Sequence, residues 1–385
     1  MKKLFYIGLI CLGLFEILNV YFIMPMPGSQ KMHSIDIAYF LYSYRWVFRT
    51  VFALFILTGS FSVINTKRKW IPAVAVIPVL VIIYLFNFKM TADHMFLQPQ
   101  GLVFHFRSDN TLTDSSLVIA VTHKMESKAY PIRYIQYHHQ VRDSIGGRPI
   151  MVTYCNICRT GRVFEPLVDG NPENFRLVGM DHFNAMFEDQ TTKSWWRQAT
   201  GEAITGPLTG TMLPEVESSQ YSLGTFFALH PFGKVMIAEA RSKNNYDTLG
   251  RFEKGRSRGD LTRTDTLSWK DKSWVMGVQA GNQSKAYDWI EVKKMKIIND
   301  FIGKTPIVVA IAPDGQSFVA LERNINEIFT MRNDSLVNSA SKFDFEGRST
   351  TGAQAKKLKA YQEFWHSWKQ FHPATERYDG EDNGN

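Results

Sequence analysis

Cysteine is scarce in this chain, three in 385 residues, and that scarcity excludes several chemistries at once. Cys11 lies inside an apolar run and reads as a small packing residue. Only "MVTYCNICRTGRVFEP", residues 151–166, holds a pair, Cys155 and Cys158. A four-thiolate zinc site has no second cysteine pair, and haem attachment lacks a histidine directly after the pair. Acidic residues are nearly missing from the first ninety positions, where Glu16 and Asp36 face nine lysines and arginines. That segment carries +7 of the formal +8, so the remaining 295 residues net only +1. A nearly neutral remainder has no overall footprint for polyanions, and nucleic acid is excluded as the expected partner. With 45% hydrophobic and 21% charged residues, nothing reads as disordered or fibrous.

The basic excess flanks three long apolar runs. Leu4 to Phe22 contains one charge, Glu16. A second run covers about 46–64, with Arg49 near its end, and a third, about 70–88, has Trp70 and Lys89 at its flanks. Each is long enough for a hydrocarbon core, and no small-residue cleavage pattern follows the first. Glu16 is costly in lipid and is expected to pair within the bundle. Lys2, Lys3 and "TKRK" (Thr66 to Lys69) lie two crossings apart, and both favour the cytoplasm. The expected localisation is the cytoplasmic (inner) membrane, with everything after about Lys89 on the periplasmic or extracytoplasmic side.

Beyond "GLVFHF" (Gly101 to Phe106) the texture changes to short alternating apolar runs broken by Gly, Pro, Asn and Asp, the pattern of strands. Helices are expected after Pro131 and at "LGTFFALH". A repeat organises this region. Leu117–Tyr154 aligns without a gap to Trp274–Ile311, every residue shifted by 157, so "SKAY" meets "SKAY", Asp143 meets Asp300 and Gly146 meets Gly303. "GEAITG" (Gly201 to Gly206) matches "GRSTTG" (Gly347 to Gly352), and "ALHPF" matches "WKQFHP", in the same order. A tandem duplication about a pseudo-twofold axis is the expected architecture.

The second copy serves as a control on the cysteines. Where the first has "YCNICRTG" the second has "IAPDGQS", a self-sufficient Pro-Asp-Gly turn. The hairpin closes without sulfur, so the pair is read as functional. It lies between two strands, the knuckle that presents two thiolates to one ion, and not at the helix start of a thioredoxin-type site. A soft metal ion such as copper, or zinc, a thiol redox pair, and a disulfide all remain open. The second concentrated signal is "MFEDQTTKSWWRQATGEAITGP", Met186 to Pro207. His182, Met186, Asp189, Trp195 and Gln198 are the candidate neighbours of the sulfurs. The alternative is a hairpin with a Thr-rich turn and cross-strand aromatic packing. His230 and His372, and the two Lys-Ala-Tyr triplets, occur in both copies and are read as structural.

"GGRPIMVTYCNIC" and "MFEDQTTKSWWRQATGEAITGPLTGTML" together resemble the bacterial family known as domain of unknown function 3179, over roughly residues 115–375. The matching positions are Tyr154, Cys155, Cys158, Asp189, Thr192, Ser194, Trp195 or Trp196, Gln198 and Gly201. Asn156 stands where the family usually has Pro, and Gln190 where a basic residue is usual. The resemblance implies domain boundaries and no activity, and it does not extend to the three-span anchor.

The expected fold is therefore α+β: three transmembrane helices, then a mainly β outer region built from a tandem duplication. The boundaries are an anchor at 1–90, a connector at 91–112, a first repeat at 113–238, a linker at 239–269, a second repeat at 270–378 and a polar tail at 379–385. The leading functional expectation is metal handling or thiol redox at Cys155 and Cys158. Behind it stand a non-catalytic interaction module or accessory subunit of a membrane complex, and a hydrolase or transferase using Asp189 and Gln198. The lipid bilayer and other membrane-protein subunits are the expected partners.

Overall fold

The three apolar runs fold as helices in the computed structural model, which describes residues 1–380. They are α1 (Lys2–Tyr21), α3 (Arg45–Ile64) and α4 (Trp70–Tyr84), with a shorter α2 (Ile35–Ser43) between the first two. A π-helical turn, Leu85–Lys89, extends α4. Among the described residues these are the three helices long and apolar enough to cross a membrane. Pro72 falls in the first turn of α4, where backbone N–H groups have no helical acceptor to lose. Of the polar tail, residues 381–385 lie outside the described residues.

The chain divides into two units. The first comprises Met1–Leu97 with Glu173–Arg197 and Glu202–Met212. Glycine lets its helices approach: a Cβ on Gly59 of α3 would stand 2.3 Å from the Phe5 backbone nitrogen of α1, and one on Gly8 would stand 3.0 Å from a Phe52 carbonyl oxygen. Glu16 is buried and paired, as its cost in lipid requires. Arg49 donates to both of its carboxylate oxygens at 2.7 and 2.8 Å, and Asn87 Nδ2 donates at 2.9 Å, one residue from each helix. An antiparallel sheet, Phe175–Asp181, Asn184–Asp189, Trp195–Arg197 and Ala203–Thr205, completes this unit. It joins the chain after α1 where Met180 N donates to Ile23 O at 2.8 Å, and Gly179 is required because a Cβ there would meet that carbonyl at 2.3 Å.

Gly59→Ala gives a sign test of this packing. In an open helix the change stabilises by about 1 kcal/mol. Here the methyl meets backbone, and overpacking costs about 1–3 kcal/mol. The expected result is a lower Tm for the detergent-solubilised chain; a raised Tm would contradict the close α1–α3 contact.

The second unit, Gln98–Pro172, Gln198–Gly201 and Leu213 onward, holds two matching halves. Strands Leu117–His123 and Glu126–Pro131, helix Ile132–His138 and strand Gln140–Ile145 correspond at the 157 offset to Trp274–Ala280, Gln283–Asp288, Trp289–Met295 and Ile297–Ile302. Both helices end on a left-handed residue, His139 at φ 60° and Lys296 at φ 64°. Both halves build one sheet with the same neighbours: Ser219–Ser222, Leu117–His123, Glu126–Pro131, Lys234–Met236 in the first, and Lys359–Phe364, Trp274–Ala280, Gln283–Asp288, Glu376–Arg377 in the second. The last pair is parallel in each. The Lys-Ala-Tyr triplets hold each half closed: Lys128 Nζ and Tyr130 OH donate to Asp143 at 2.9 and 2.7 Å, and Lys285 and Tyr287 do the same to Asp300 at 2.9 and 2.8 Å.

The region expected as a plain linker, 239–269, contains helix Lys243–Glu253. Its apolar face buries Tyr246 and Phe252, and the buried Glu253 carboxylate accepts from Arg133 N at 3.0 Å. Polar composition hid this helix because its apolar residues are few and widely spaced.

Candidate functional site

The cysteine turn closes a hairpin in which strand Arg148–Cys155 pairs with Thr160–Phe164, Cys155 opposite Thr160. Arg159 takes a left-handed φ of 57° to complete the turn. Both sulfurs are fully buried thiols. The second half covers them. Phe364 N donates to Cys158 O at 3.0 Å, Ser367 Oγ lies 3.2 Å from Thr160 Oγ1, and Lys272 Nζ donates to Ile157 O at 2.7 Å and Leu261 O at 2.6 Å. His366 Nε2 lies 3.2 Å from both Lys272 Nζ and Ile157 O. Arg159, a fully buried cation, donates to Gln362 Oε1 at 2.8 Å and stacks 3.7 Å from the Trp274 ring.

The mirror turn is clasped the same way by the first half. Ser222 N donates to Ser317 Oγ at 2.8 Å, and Thr225 Oγ1 donates to Asp314 at 2.8 Å. Asp314 also accepts from Gln316 N and Ser317 N, both at 2.8 Å. The two turns thus exchange partners reciprocally, Phe364–Ser367 on one and Ser222–Thr225 on the other. Where the second turn carries a carboxylate, the first carries thiols.

Burial pushes the Cys158 thiol well above its ordinary range, helped by its hydrogen bond with Cys155, while Ser367 and the Lys272 ammonium pull the other way. Lys272 is lowered by burial and raised by the two sulfurs. Burial lowers His366 to about 4, so at neutral pH its imidazole is uncharged and can accept from Lys272. Asp314 is also desolvated, yet the hydrogen bonds of Ser222 and Ser317 hold it below the ordinary carboxylate range.

Gln198 belongs to this unit: its Nε2 donates to Thr153 Oγ1 at 2.9 Å and Thr160 O at 3.0 Å, bracketing the cysteine turn. The other candidates fall in the first unit. Asp189 there accepts from Thr192 N, Lys193 N, Thr192 Oγ1 and Trp196 Nε1 at 2.5, 3.1, 2.8 and 2.9 Å, a carboxylate that ties a turn together. Ser194 Oγ joins that turn by accepting from Leu208 N at 3.0 Å. Trp195 donates to Glu188 at 3.0 Å and packs with Met186 against Ile23 and Ala38. His182 Nδ1 lies 2.7 Å from Asp181. Among the described residues no three His, Cys, Asp or Glu side chains converge as ligands of one ion.

Sequence reasoning missed Lys272, His366 and Ser367. Their one signal was positional: Phe364–Ser367 aligns with Ser222–Thr225, so reciprocal contact between the halves would have brought them to the turn. Lys272 has no such signal.

The geometry defines an α+β protein with an apolar helical anchor and a twofold-patterned β-rich region, in which one of two equivalent turns carries a buried dithiol. The chain belongs to the DUF3179 family, described as a protein of unknown function, whose model matches residues 103–375. No curated protein and no solved structure matches it.

Proposed function

We propose that Cys155 and Cys158 form a dithiol–disulfide couple in the extracytoplasmic region of a membrane-anchored protein. The observation that carries this reading is the pair of equivalent turns: the second receives its clasp on the Asp314 carboxylate, an anion, and the first offers thiols to the same kind of clasp beside Lys272. The Ser367 hydroxyl and the Lys272 ammonium are the parts of that clasp that favour a transient thiolate at Cys158, against the burial that keeps the resting group a thiol. Oxidation joins Sγ of Cys155 to Sγ of Cys158, releasing two protons and two electrons to an acceptor disulfide, which leaves as two thiols. Lys2, Lys3 and the Thr66–Lys69 loop support a location of this region outside the cytoplasm, where such a couple persists.

The test is thiol trapping of the full chain across a series of dithiol redox buffers, with metal analysis of the same preparation. A single reversible two-electron transition, lost in Cys158→Ser and displaced in Lys272→Met, is expected. Stoichiometric copper or zinc lost in the double serine variant would replace this reading with a metal site. A disulfide reducible only after unfolding would make the pair a staple and favour the interaction module.

A further inference from the structure

In the second unit a histidine stands between a hydroxyl and a carboxylate. Ser127 Oγ lies 3.1 Å from His230 Nδ1, and His230 Nε2 lies 3.3 Å from Glu346 Oε1. Glu346, held at about 2, is an acceptor only, and it also takes hydrogen bonds from Tyr221 OH at 2.6 Å and Lys357 Nζ at 2.9 Å. A neutral His230 ring must therefore carry its proton on Nε2, which leaves Nδ1 as the acceptor. The Ser127 hydroxyl donates its one proton to Nδ1 and accepts from Thr122 Oγ1, 3.1 Å away. The ring is held in place, since His230 N donates to Phe226 O at 2.8 Å and the two rings pack 5.3 Å apart. His230 is buried, Ser127 half-buried and Thr122 exposed, so the hydroxyl end of the relay is the end that meets solvent.

The second half arranges the equivalent residues differently. Ser284 and Gln279 stand at the places of Ser127 and Thr122, and His372 stands at that of His230. Gln279 Nε2 donates to His372 Nε2 at 2.8 Å, so that ring carries its proton on Nδ1, 3.2 Å from Trp368 O. Neither nitrogen is left for a serine. The two histidines thus hold opposite tautomers, and a structural role common to both leaves the contacts of His230 unexplained. A hydroxyl bonded to an imidazole whose other nitrogen faces a carboxylate is the arrangement that activates a serine as nucleophile. Either ring nitrogen can serve, because the chemistry needs one that is free and one that is protonated.

We propose that Ser127 is a nucleophile for a small, uncharged carboxylic ester, with His230 as its base and Glu346 as the group that orients the ring. Ser127 Oγ bonds to the acyl carbon as its proton passes to His230 Nδ1, and Glu346 balances the imidazolium. That proton leaves with the departing alcohol, and water repeats the sequence to release the acid and restore the hydroxyl. Met125, two residues before Ser127, and Phe232, two after His230, are exposed apolar side chains, which suits an acyl group without charge. The inference is independent of the dithiol couple.

The full chain, purified in nonionic detergent, is treated with an alkyl fluorophosphonate, which forms a P–O bond to an activated serine and releases fluoride. Peptide mass spectrometry is expected to find one label per chain, on Ser127. Hydrolysis of 4-nitrophenyl butyrate, read as nitrophenolate release, is expected to stop once the label is on. Ser127→Ala should lose label and hydrolysis with its Tm unchanged, which separates loss of the nucleophile from misfolding. His230→Gln is expected to slow labelling on the order of a hundredfold, the scale of a general base. Glu346→Gln should do the same, because its amide oxygen turns to the Lys357 ammonium and its NH2 then donates to Nε2, forcing the ring proton onto Nδ1. His372→Gln, the matched change in the second half, is expected to label at the natural rate. No label, a label on another residue, hydrolysis that survives in Ser127→Ala, or equal labelling rates in His230→Gln and the natural chain would each overturn the proposal.

Discussion

Arg162→Met is expected to destabilise the β-rich region by about 3–5 kcal/mol, because it strands a buried carboxylate. Arg162 is 3% exposed and Glu363 1%, and Nη2 donates to Glu363 Oε1 at 2.5 Å. The guanidinium also stacks 3.4 Å over the Tyr361 ring. Glu363 accepts in addition from Ser367 Oγ at 3.1 Å, on the helix that covers the cysteine turn. Removing one charge leaves the other desolvated and unpaired, which outweighs anything the methionine gains by packing. Removing both charges does not: Arg162→Met with Glu363→Met is expected to recover most of the loss, since a buried pair is often no better than apolar residues of similar volume. Chemical denaturation of the full chain in detergent, followed by tryptophan fluorescence, measures both. A double variant as unstable as the single would show that the pair is net stabilising. A single variant within 1 kcal/mol of the natural chain would show that water reaches Glu363.

Much of this fold was legible because its signals are local or repeated. Apolar length located α1, α3 and α4, and the 157-residue offset located the matching strands and helices, down to the shared Lys-Ala-Tyr and Asp contacts. Helix α2 and helix Lys243–Glu253 were not legible, since the first is short and buries only Ala38, and the second is mostly polar with few apolar residues. The candidate site was half legible. Cys155, Cys158 and Gln198 come together as a motif neighbourhood would suggest, whereas Asp189 and Trp195 share a unit with the three long apolar helices. The motif around Asp189 looked chemical because carboxylate, hydroxyls and indole are the parts of many active sites. Four donors converging on one carboxylate are equally the parts of a locked turn, and the choice depends on hydrogen-bond direction, which sequence spacing does not encode.

The second large effect is on pH. Burial lowers both His139 and His366 to about 4. His139 Nδ1 lies 3.0 Å from Tyr154 O, at the base of the cysteine turn, and His366 lies against its tip. An unfolded histidine binds its proton near pH 6.5, so between about 6.5 and 4 the unfolded chain holds more protons than the folded one. Stability is therefore at its plateau above about pH 6.5 and falls as the pH drops toward 4, by up to about 3 kcal/mol for each histidine. Glu346 extends the decline. Burial raises its carboxyl, but the hydrogen bond from His230 and the charge of Lys357 outweigh that and hold it at about 2, so its contribution is lost between about 4.5 and 2. Glu253, raised by burial against Arg133, acts in the opposite sense and softens the slope. Thermal unfolding of the full chain from pH 7.5 to 4 is expected to show Tm steady to about 6.5 and then falling steeply. His366→Gln should flatten the fall by roughly half, leaving the His139 share. A Tm independent of pH across this window would mean that both imidazoles accept protons without leaving their sites. In that case Lys272 would face a second cation rather than an acceptor, and the charge balance drawn here around the dithiol would be wrong.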